Sequence, residues 1–79
     1  MTQDEEKYFE HYFDTFASEG WKQFIEDMAG LEESVNDLAS INDADKFFLS
    51  KGQLMIIRRI LNFEDAMKKA YQEAKEYDE

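Results

Sequence analysis

The sequence predicts an all-α protein, organised as a single helical domain over residues 1–79. Proline is absent and only three glycines occur, which removes most of the residues that punctuate a many-turned β fold. Large apolar residues recur at helical spacing along most of the chain. Aromatic residues make up 15% of the sequence and hydrophobic residues 43%, more than an acidic disordered segment carries, so the chain is expected to fold.

The expected architecture is an antiparallel helical hairpin or a three-helix bundle with coiled-coil-like packing, within a homo-oligomer. The helices are predicted at about 4–16, 19–39 and 44–77. A chain of 79 residues buries only about 60% of the surface that its unfolded form exposes, so its stability is expected to be marginal or shared between subunits. No cysteine is present, so no disulfide can add to that stability.

The first predicted helix opens with acidic residues, which the helix dipole favours in the first turn. Its apolar residues then follow at steps of one, three and four and form an almost wholly aromatic face: Tyr8, Phe9, Tyr12, Phe13 and Phe16. Such a face is typical of a helix that packs on a core. The alternative is a platform on which a ligand or nucleic-acid bases stack.

Ser18 is predicted to cap the second helix, because its side chain can accept a hydrogen bond from the first free backbone N–H groups. The large apolar residues that follow have the strict spacing of a coiled-coil seam. They are Trp21, Phe24, Met28, Leu31, Val35 and Leu38. Gly30 lies beside this seam although glycine costs about 1 kcal/mol relative to alanine in a helix, so we expect a neighbouring backbone to approach it closely.

The segment SINDAD interrupts the helical pattern, and Asn42 or Asp43 is expected to cap the next helix. A connection this short makes the flanking helices antiparallel. The third helix is therefore predicted to pack on the seam of the second through four apolar residues. They are Phe47, Leu54, Ile57 and Leu61.

The third helix carries apolar residues on more than one face, so it should contact more than one neighbour. A heptad register runs from Ile56 through Asn62 to Tyr77, which favours one continuous helix. The alternative is a break at Asn62, where the segment NFED would cap a separate fourth helix. The apolar residues left for the first helix or for another subunit are Met55, Ile56, Ile60, Phe63 and Met67.

The net charge of −10 is unevenly distributed along the chain. Residues 1–45 hold 13 acidic and 2 basic residues, a net charge of −11, whereas residues 46–79 hold 6 acidic and 7 basic residues, a net charge of +1. The two halves are therefore complementary and favour antiparallel pairing. Exposed ion pairs contribute only about 0 to 1 kcal/mol each, so charge supports this pairing without dictating it.

The chain is poor in groups that could perform catalysis, and neither an enzymatic activity nor a cofactor is expected. The single histidine, His11, lies one turn from Asp14, and this pair would need ligands from elsewhere to hold a metal ion. Neighbouring carboxylates such as Glu32 and Glu33 lack the Glu-x-x-His motif of helical di-metal sites. The segment SKGQ has neither the spacing nor the preceding strand of a phosphate-binding loop.

Direct nucleic-acid binding is not expected, because the overall negative charge repels phosphates at long range. The acidic residues instead suggest that the protein could mimic a nucleic acid. Closely spaced carboxylates on a helical rod can imitate a phosphate backbone and occupy a protein that binds DNA or RNA. The two candidate rows are Asp4, Glu5, Glu6, Glu10 and Asp14, followed by Glu26, Asp27, Glu33 and Asp37.

The segment SEGWKQFIEDMAGLEESV, followed after a short acidic linker by FFLSKGQLMIIRRILN, resembles small helical-hairpin proteins of tailed bacteriophages. Those proteins are encoded among the structural and packaging genes. The shared features, over residues 18–62, are a helix that starts with Gly-Trp and a later helix with Lys-Gly. The resemblance implies an accessory protein without a catalytic role, which acts in phage assembly in the host cytoplasm or in the virion.

The start of the chain, MTQDEEKYFE, is acidic where a signal peptide would be basic. No apolar run reaches the roughly 18 residues of a membrane span, so a soluble cytoplasmic protein is expected. The leading hypothesis is a non-enzymatic protein that self-associates and binds a larger protein partner. Its predicted interaction residues are the six of the coiled-coil seam and the five left over on the third helix. The alternative is an acidic inhibitor that mimics nucleic acid.

Overall fold

The computed structural model describes residues 1–77, and this part of the chain is almost entirely helical. The described residues form α1 (Gln3–Phe16), α2 (Glu19–Val35), a short 3₁₀ turn (Leu38–Ser40), α3 (Ala44–Leu61) and α4 (Phe63–Tyr77). The all-α prediction is confirmed. No helix within residues 1–77 is both long and apolar enough to cross a membrane.

The first three α-helices each begin at a polar side chain that accepts a hydrogen bond from a free backbone N–H group. Thr2 starts α1, Ser18 starts α2 and Asp43 starts α3, at donor–acceptor distances of 3.1, 3.1 and 3.2 Å. The caps at Ser18 and Asp43 confirm the sequence predictions. The cap at Thr2 is missed by the sequence pattern, and it starts α1 at Gln3 rather than at Asp4.

The second helix is shorter than the predicted range 19–39, because it ends at Val35. Asn36 still donates its N–H to the carbonyl four residues earlier, at 3.0 Å, but Asp37 leaves the helical region with φ −88° and ψ 60°. Leu38 therefore lies in the 3₁₀ turn that leads towards α3. The predicted boundary is wrong because an apolar register that extends into a turn does not say where the backbone reverses.

The predicted continuous helix over 44–77 is interrupted at Asn62, so the alternative with a break at this residue is correct. The irregularity is local, since Asn62 has φ −93° and ψ −2°. Its N–H donates to the carbonyl of Arg58 at 3.0 Å, and its own carbonyl accepts from the N–H of Ala66 at 2.9 Å. Backbone hydrogen bonding therefore continues across the junction between α3 and α4.

The four helices form two antiparallel pairs, α2 with α3 and α1 with α4. Trp21, at the start of α2, contacts Glu64, which lies beyond the end of α3. Glu32, near the end of α2, contacts Arg58, which precedes Glu64 in the chain, so α2 and α3 run in opposite directions. Together α1 and α2, of 14 and 17 residues, match α3 and α4, of 18 and 15 residues. The C-terminal part of the predicted third helix, which is α4, is therefore covered by α1. The first helix is one of the two neighbours expected there, the other being a second subunit.

The most continuous core is aromatic and lies between α1 and α4. Phe9, Phe16 and Met67 are buried there and belong to one cluster. Ring centroids are 5.3 Å apart between Phe9 and Tyr71 and 5.8 Å apart between Phe16 and Phe63, both in edge-to-face geometry. Such pairs contribute about 0.5 to 1.5 kcal/mol beyond the area that they bury. The aromatic face of α1 is therefore a core surface at Phe9, Tyr12, Phe13 and Phe16, whereas Tyr8 of the predicted face is exposed.

A second, smaller buried region lies between α2 and α3. Leu54 and Ile57 are its buried members, and Phe47 and Leu61 beside them are half-buried. All four follow the predicted spacing for the side of α3 that contacts α2. α3 therefore packs on α2 through these residues, whereas Phe24 and Leu31 of the predicted seam remain exposed.

Gly30 does not have the neighbour that its position suggests. A Cβ atom added at Gly30 would meet no other atom within 4 Å. Gly30 follows Met28 of the seam by two residues, which places it about 200° around α2, on the side away from α3. The expected close approach by a neighbouring backbone is therefore absent within this chain.

The molecule is elongated, with principal extents of 53 × 28 × 15 Å and a radius of gyration of 16.8 Å. A compact chain of 79 residues has a radius of gyration of about 12 Å. The most buried side chain in residues 1–77, that of Leu54, is still 4% exposed. Two helix pairs placed end to end therefore give a long, thin fold with little enclosed interior.

Candidate protein-interaction surface

An open apolar groove runs along one side of the α2–α3 pair. Its volume is about 600 Å³. The lining comes from Leu31 and Val35 of α2 and from Phe48, Leu49, Gly52, Gln53, Ile56 and Ile57 of α3. Apart from the amide of Gln53, these side chains offer only apolar groups, so the groove is suited to an apolar side chain or helix face and not to a charged small molecule.

A row of residues on α3 forms the floor of this groove and continues one turn beyond it, to Ile60. Leu49, Gln53, Ile56 and Ile60 recur at steps of four, three and four residues and therefore share one side of the helix. The same register continues into α4 with Phe63, and there it packs against α1. The row is consequently covered at the start of α4, at Phe63 and Met67, and open over most of α3. Leu49, Gln53, Ile56 and Ile60 together are called the α3 row.

A second open groove lies one helical turn farther along the α3 row. Its volume is about 310 Å³, and it is lined by Trp21, Phe24, Arg59, Ile60 and Phe63. Phe24 and Leu31, which border the two grooves from α2, are 39% and 46% exposed. Together the two grooves make an apolar side along most of the α2–α3 pair.

The opposite side of this pair is polar. Arg58 donates a hydrogen bond from Nε to Oε2 of Glu32 at 3.2 Å, and a longer one from Nη2 to Oδ1 of Asn36 at 3.5 Å. Arg58 follows Ile56 by two residues, so it lies about 200° around α3 from the α3 row. The α2–α3 pair is therefore amphipathic, with one apolar side and one ion-paired side.

The two helices that border the groove carry opposite net charges. α2 holds five acidic residues and one basic residue, a net charge of −4. α3 holds four basic residues and one acidic residue, a net charge of +3. Opposite charges flank the apolar groove, so a helix that enters it meets an acidic border on one side and a basic border on the other.

The structure divides the predicted interaction residues into two groups. Those buried or half-buried within the chain are Trp21, Met28, Val35, Leu38, Ile60, Phe63 and Met67. Those exposed to solvent are Phe24, Leu31, Met55 and Ile56. Of the exposed residues, Met55 is separate from the groove, and it lines a different hollow together with Arg58.

Two residues of the groove, Phe48 and Leu49, are 65% and 64% exposed but are not among the predicted interaction residues. A signal for Leu49 was present in the chain. Extending the heptad register backwards from Ile56 by three and seven residues reaches Gln53 and then Leu49. Phe48 has no such signal, because it lies at the edge of the groove and outside that register.

A charged cluster lies at the junction of the two helix pairs. Glu64 accepts hydrogen bonds from Nε1 of Trp21 at 3.2 Å and from Nζ of Lys68 at 2.8 Å. The hydrogen bond from Lys68 lowers the pKa of Glu64, against a smaller opposing effect of desolvation, and the same bond raises the pKa of Lys68. Both shifts favour the ions that are already present at neutral pH, so the cluster is structural and not poised for proton transfer.

Within residues 1–77, no group of three or more His, Asp or Glu side chains is arranged to hold a metal ion. His11 is exposed on α1, and its carbonyl accepts a hydrogen bond from the hydroxyl of Thr15. The carboxylates of both acidic rows lie at exposed positions on α1, on α2 and directly after it.

Comparisons with models of known protein families, with characterised proteins and with solved structures found no match for this chain. Residues 1–77 form four α-helices with an aromatic core between α1 and α4 and an uncovered apolar side on the α2–α3 pair.

Proposed function

We propose that this protein is a non-enzymatic helical interaction protein, which self-associates and binds a larger protein partner. The observation that carries the proposal is the open α3 row. Leu49 and Ile56 in that row are 64% and 56% exposed, although Met67 of the same register is buried in α4. Contiguous apolar surfaces of this kind mark protein interaction sites on soluble proteins.

A role in phage assembly or packaging is part of the same proposal. It is supported by the resemblance of residues 18–62 to helical-hairpin proteins from the structural and packaging genes of tailed bacteriophages. An accessory protein in an assembly pathway acts through contacts, which agrees with the poor inventory of catalytic groups in this sequence.

Light scattering across a dilution series tests self-association, and circular dichroism at the same concentrations reports whether the chain is folded. The expected result is an oligomer that dissociates on dilution. Co-purification with the products of neighbouring genes tests the larger partner, with wild type and the groove variant Ile56→Asp compared side by side. A chain that remains a folded monomer at micromolar concentration and retains none of these products would overturn the proposal.

The exposed positions of both acidic rows favour a second candidate function, an acidic inhibitor that mimics nucleic acid. Pull-down from host lysate at low and at high salt tests it. Mimicry requires a nucleic-acid-binding protein that is captured at low salt and released at high salt, because exposed charges are screened by ions. Recovery of virion or packaging components alone would exclude this function.

A further inference from the structure

We propose that the occupant of the groove is α3 of a second copy of the chain. Each copy would place its α3 row in the groove of the other, so that the same contacts occur twice about a two-fold axis. This inference rests on the proposed function, since it names the surface and the partner for self-association. Four observations support it: the exposed area, the apolar character of α3, the charges of the helices and the position of Gly52.

The chain exposes more surface than a compact monomer of the same mass, and the excess is on the scale of a dimer interface. The chain exposes 6297 Å², whereas a compact monomer of 9.4 kDa exposes about 5000 Å². The excess is about 1300 Å² by the same relation. An interface of standard size buries about 800 Å² on each partner, and obligate homodimers bury more. An interface in the size range of obligate homodimers would therefore bury an area comparable to the excess.

Of the helices that border the groove, α3 has the unused apolar side. One side of α3, with Leu54 and Ile57, is already buried against α2. The α3 row lies on another side, and helices that are apolar on several sides belong in the interior of a bundle. In the proposed dimer, α3 is enclosed between α2 of its own copy, α2 of the second copy and the second α3.

Charge selects α3 over the other helices as the occupant. The acidic border of the groove is α2, with a net charge of −4. α1 has five acidic residues and one basic residue, and α4 has four acidic and three basic residues, so their net charges are −4 and −1. α3, at +3, is the basic helix among the four. A second α3 is attracted by α2 more strongly than it is repelled by the α3 border, because α2 carries the larger charge. A second α2 is repelled by α2 more strongly than it is attracted by α3.

Gly52 lies in the groove, at a position where α3 of a second copy would approach α3 of the first. It lines the groove, and a Cβ atom added to it would meet no other atom of its own chain within 4 Å. A glycine in a helix interior costs about 1 kcal/mol relative to alanine, so the position is unfavourable for α3 alone. The missing side chain lets the backbone of another helix approach closely.

The test uses two neighbouring substitutions whose side chains lie about 100° apart around α3, with the oligomeric state measured by sedimentation equilibrium. Ile56 lies in the groove and Met55 lies outside it, and the two side chains are 56% and 57% exposed. Ile56→Asp and Met55→Asp add the same charge at equally exposed positions of the same helix. Circular dichroism confirms that each variant is folded.

The wild type is expected to be a dimer that Met55→Asp preserves. Ile56→Asp is expected to raise the dimer dissociation constant by about 30-fold or more, the scale of a central interface residue. Gly52→Leu serves as a second groove variant. It fills space that is open within the chain, so it should leave the fold intact and weaken the dimer.

Each contrary outcome identifies what has failed. If wild type, Ile56→Asp and Gly52→Leu dimerise equally, the groove is not the interface, whereas self-association in the proposed function stands. If Met55→Asp and Ile56→Asp weaken the dimer equally, the effect is not specific to the groove and this inference is overturned. If the wild type remains a folded monomer throughout, a second copy is not the occupant and the self-association in the proposed function fails as well.

Discussion

The indole Nε1 of Trp21 donates a hydrogen bond to Oε1 of Glu64 at 3.2 Å, across 43 positions of sequence. Trp21 lies in the first turn of α2 and Glu64 in the first turn of α4. Each of these helices begins directly after an interruption, the first near Ala17 and the second at Asn62. The bond therefore joins the two bends at which the helix pairs meet.

Removal of this hydrogen bond should destabilise the junction. We expect Glu64→Ala to lower the free energy of unfolding by about 0.5 to 1.5 kcal/mol, because the half-buried indole N–H loses its acceptor. Glu64→Gln keeps an amide oxygen as acceptor and should cost less. Urea denaturation followed by circular dichroism measures both, and Glu73→Ala provides an exposed acidic control on the same helix. Equal losses for the alanine and glutamine variants would show that the bond to Trp21 contributes little.

The stabilising effect of Glu64 should depend on pH. Its pKa lies below the ordinary value of 4.5, mainly because of the hydrogen bond from Lys68. The folded chain therefore binds this proton less readily than the unfolded chain, so the contribution is present above pH 4.5 and is lost as pH falls through the lower folded pKa. The difference in unfolding free energy between wild type and Glu64→Gln should shrink over that range. Comparing the two proteins cancels the other carboxylates, and a difference that stays constant down to low pH would contradict the assignment.

The two helix-interior glycines provide a matched pair. Gly30 and Gly52 both have open space where a Cβ atom would lie. Gly30→Ala should raise the free energy of unfolding by about 0.5 to 1 kcal/mol, because alanine loses less backbone entropy in a helix. Gly52→Ala should gain less at concentrations at which the protein is dimeric, since its methyl group would enter the proposed interface. Thermal unfolding at high and low protein concentration measures both, and equal gains at every concentration would count against a partner at Gly52.

The aromatic core can be tested with adjacent residues of α1. Phe9 is 8% exposed and Tyr8 is 52% exposed. We expect Phe9→Ala to cost about 3 to 5 kcal/mol, the range for a buried aromatic side chain. Tyr8→Ala removes only edge-to-face contacts with its neighbours and should cost about 0.5 to 1.5 kcal/mol. Chemical denaturation compares the two, and similar costs would mean that α1 does not pack on α4 in solution as it does here.

The helices and their starting points follow from short-range chemistry, and for that reason the sequence predicts them. The hydroxyl of Ser18 and the carboxylate of Asp43 bond to N–H groups only three residues away, so the caps depend on local residues alone. The spacing of Leu54 and Ile57 likewise identifies the side of α3 that packs on α2. Helix ends are less local. The end of α2 at Val35 and the break at Asn62 depend on where the chain must turn to pair its helices.

Periodicity determines which residues of a helix share a side, but it does not say what covers that side. Ile56 and Met67 belong to one uninterrupted heptad register, yet Met67 is buried against α1 and Ile56 is exposed. The reason is the limited length of α1, which covers α4 and does not extend over α3. The sequence by itself thus determined the all-helical fold, the caps and the apolar rows. Only the tertiary structure decided which part of the α3–α4 register is covered, because that depends on the path of α1 through space.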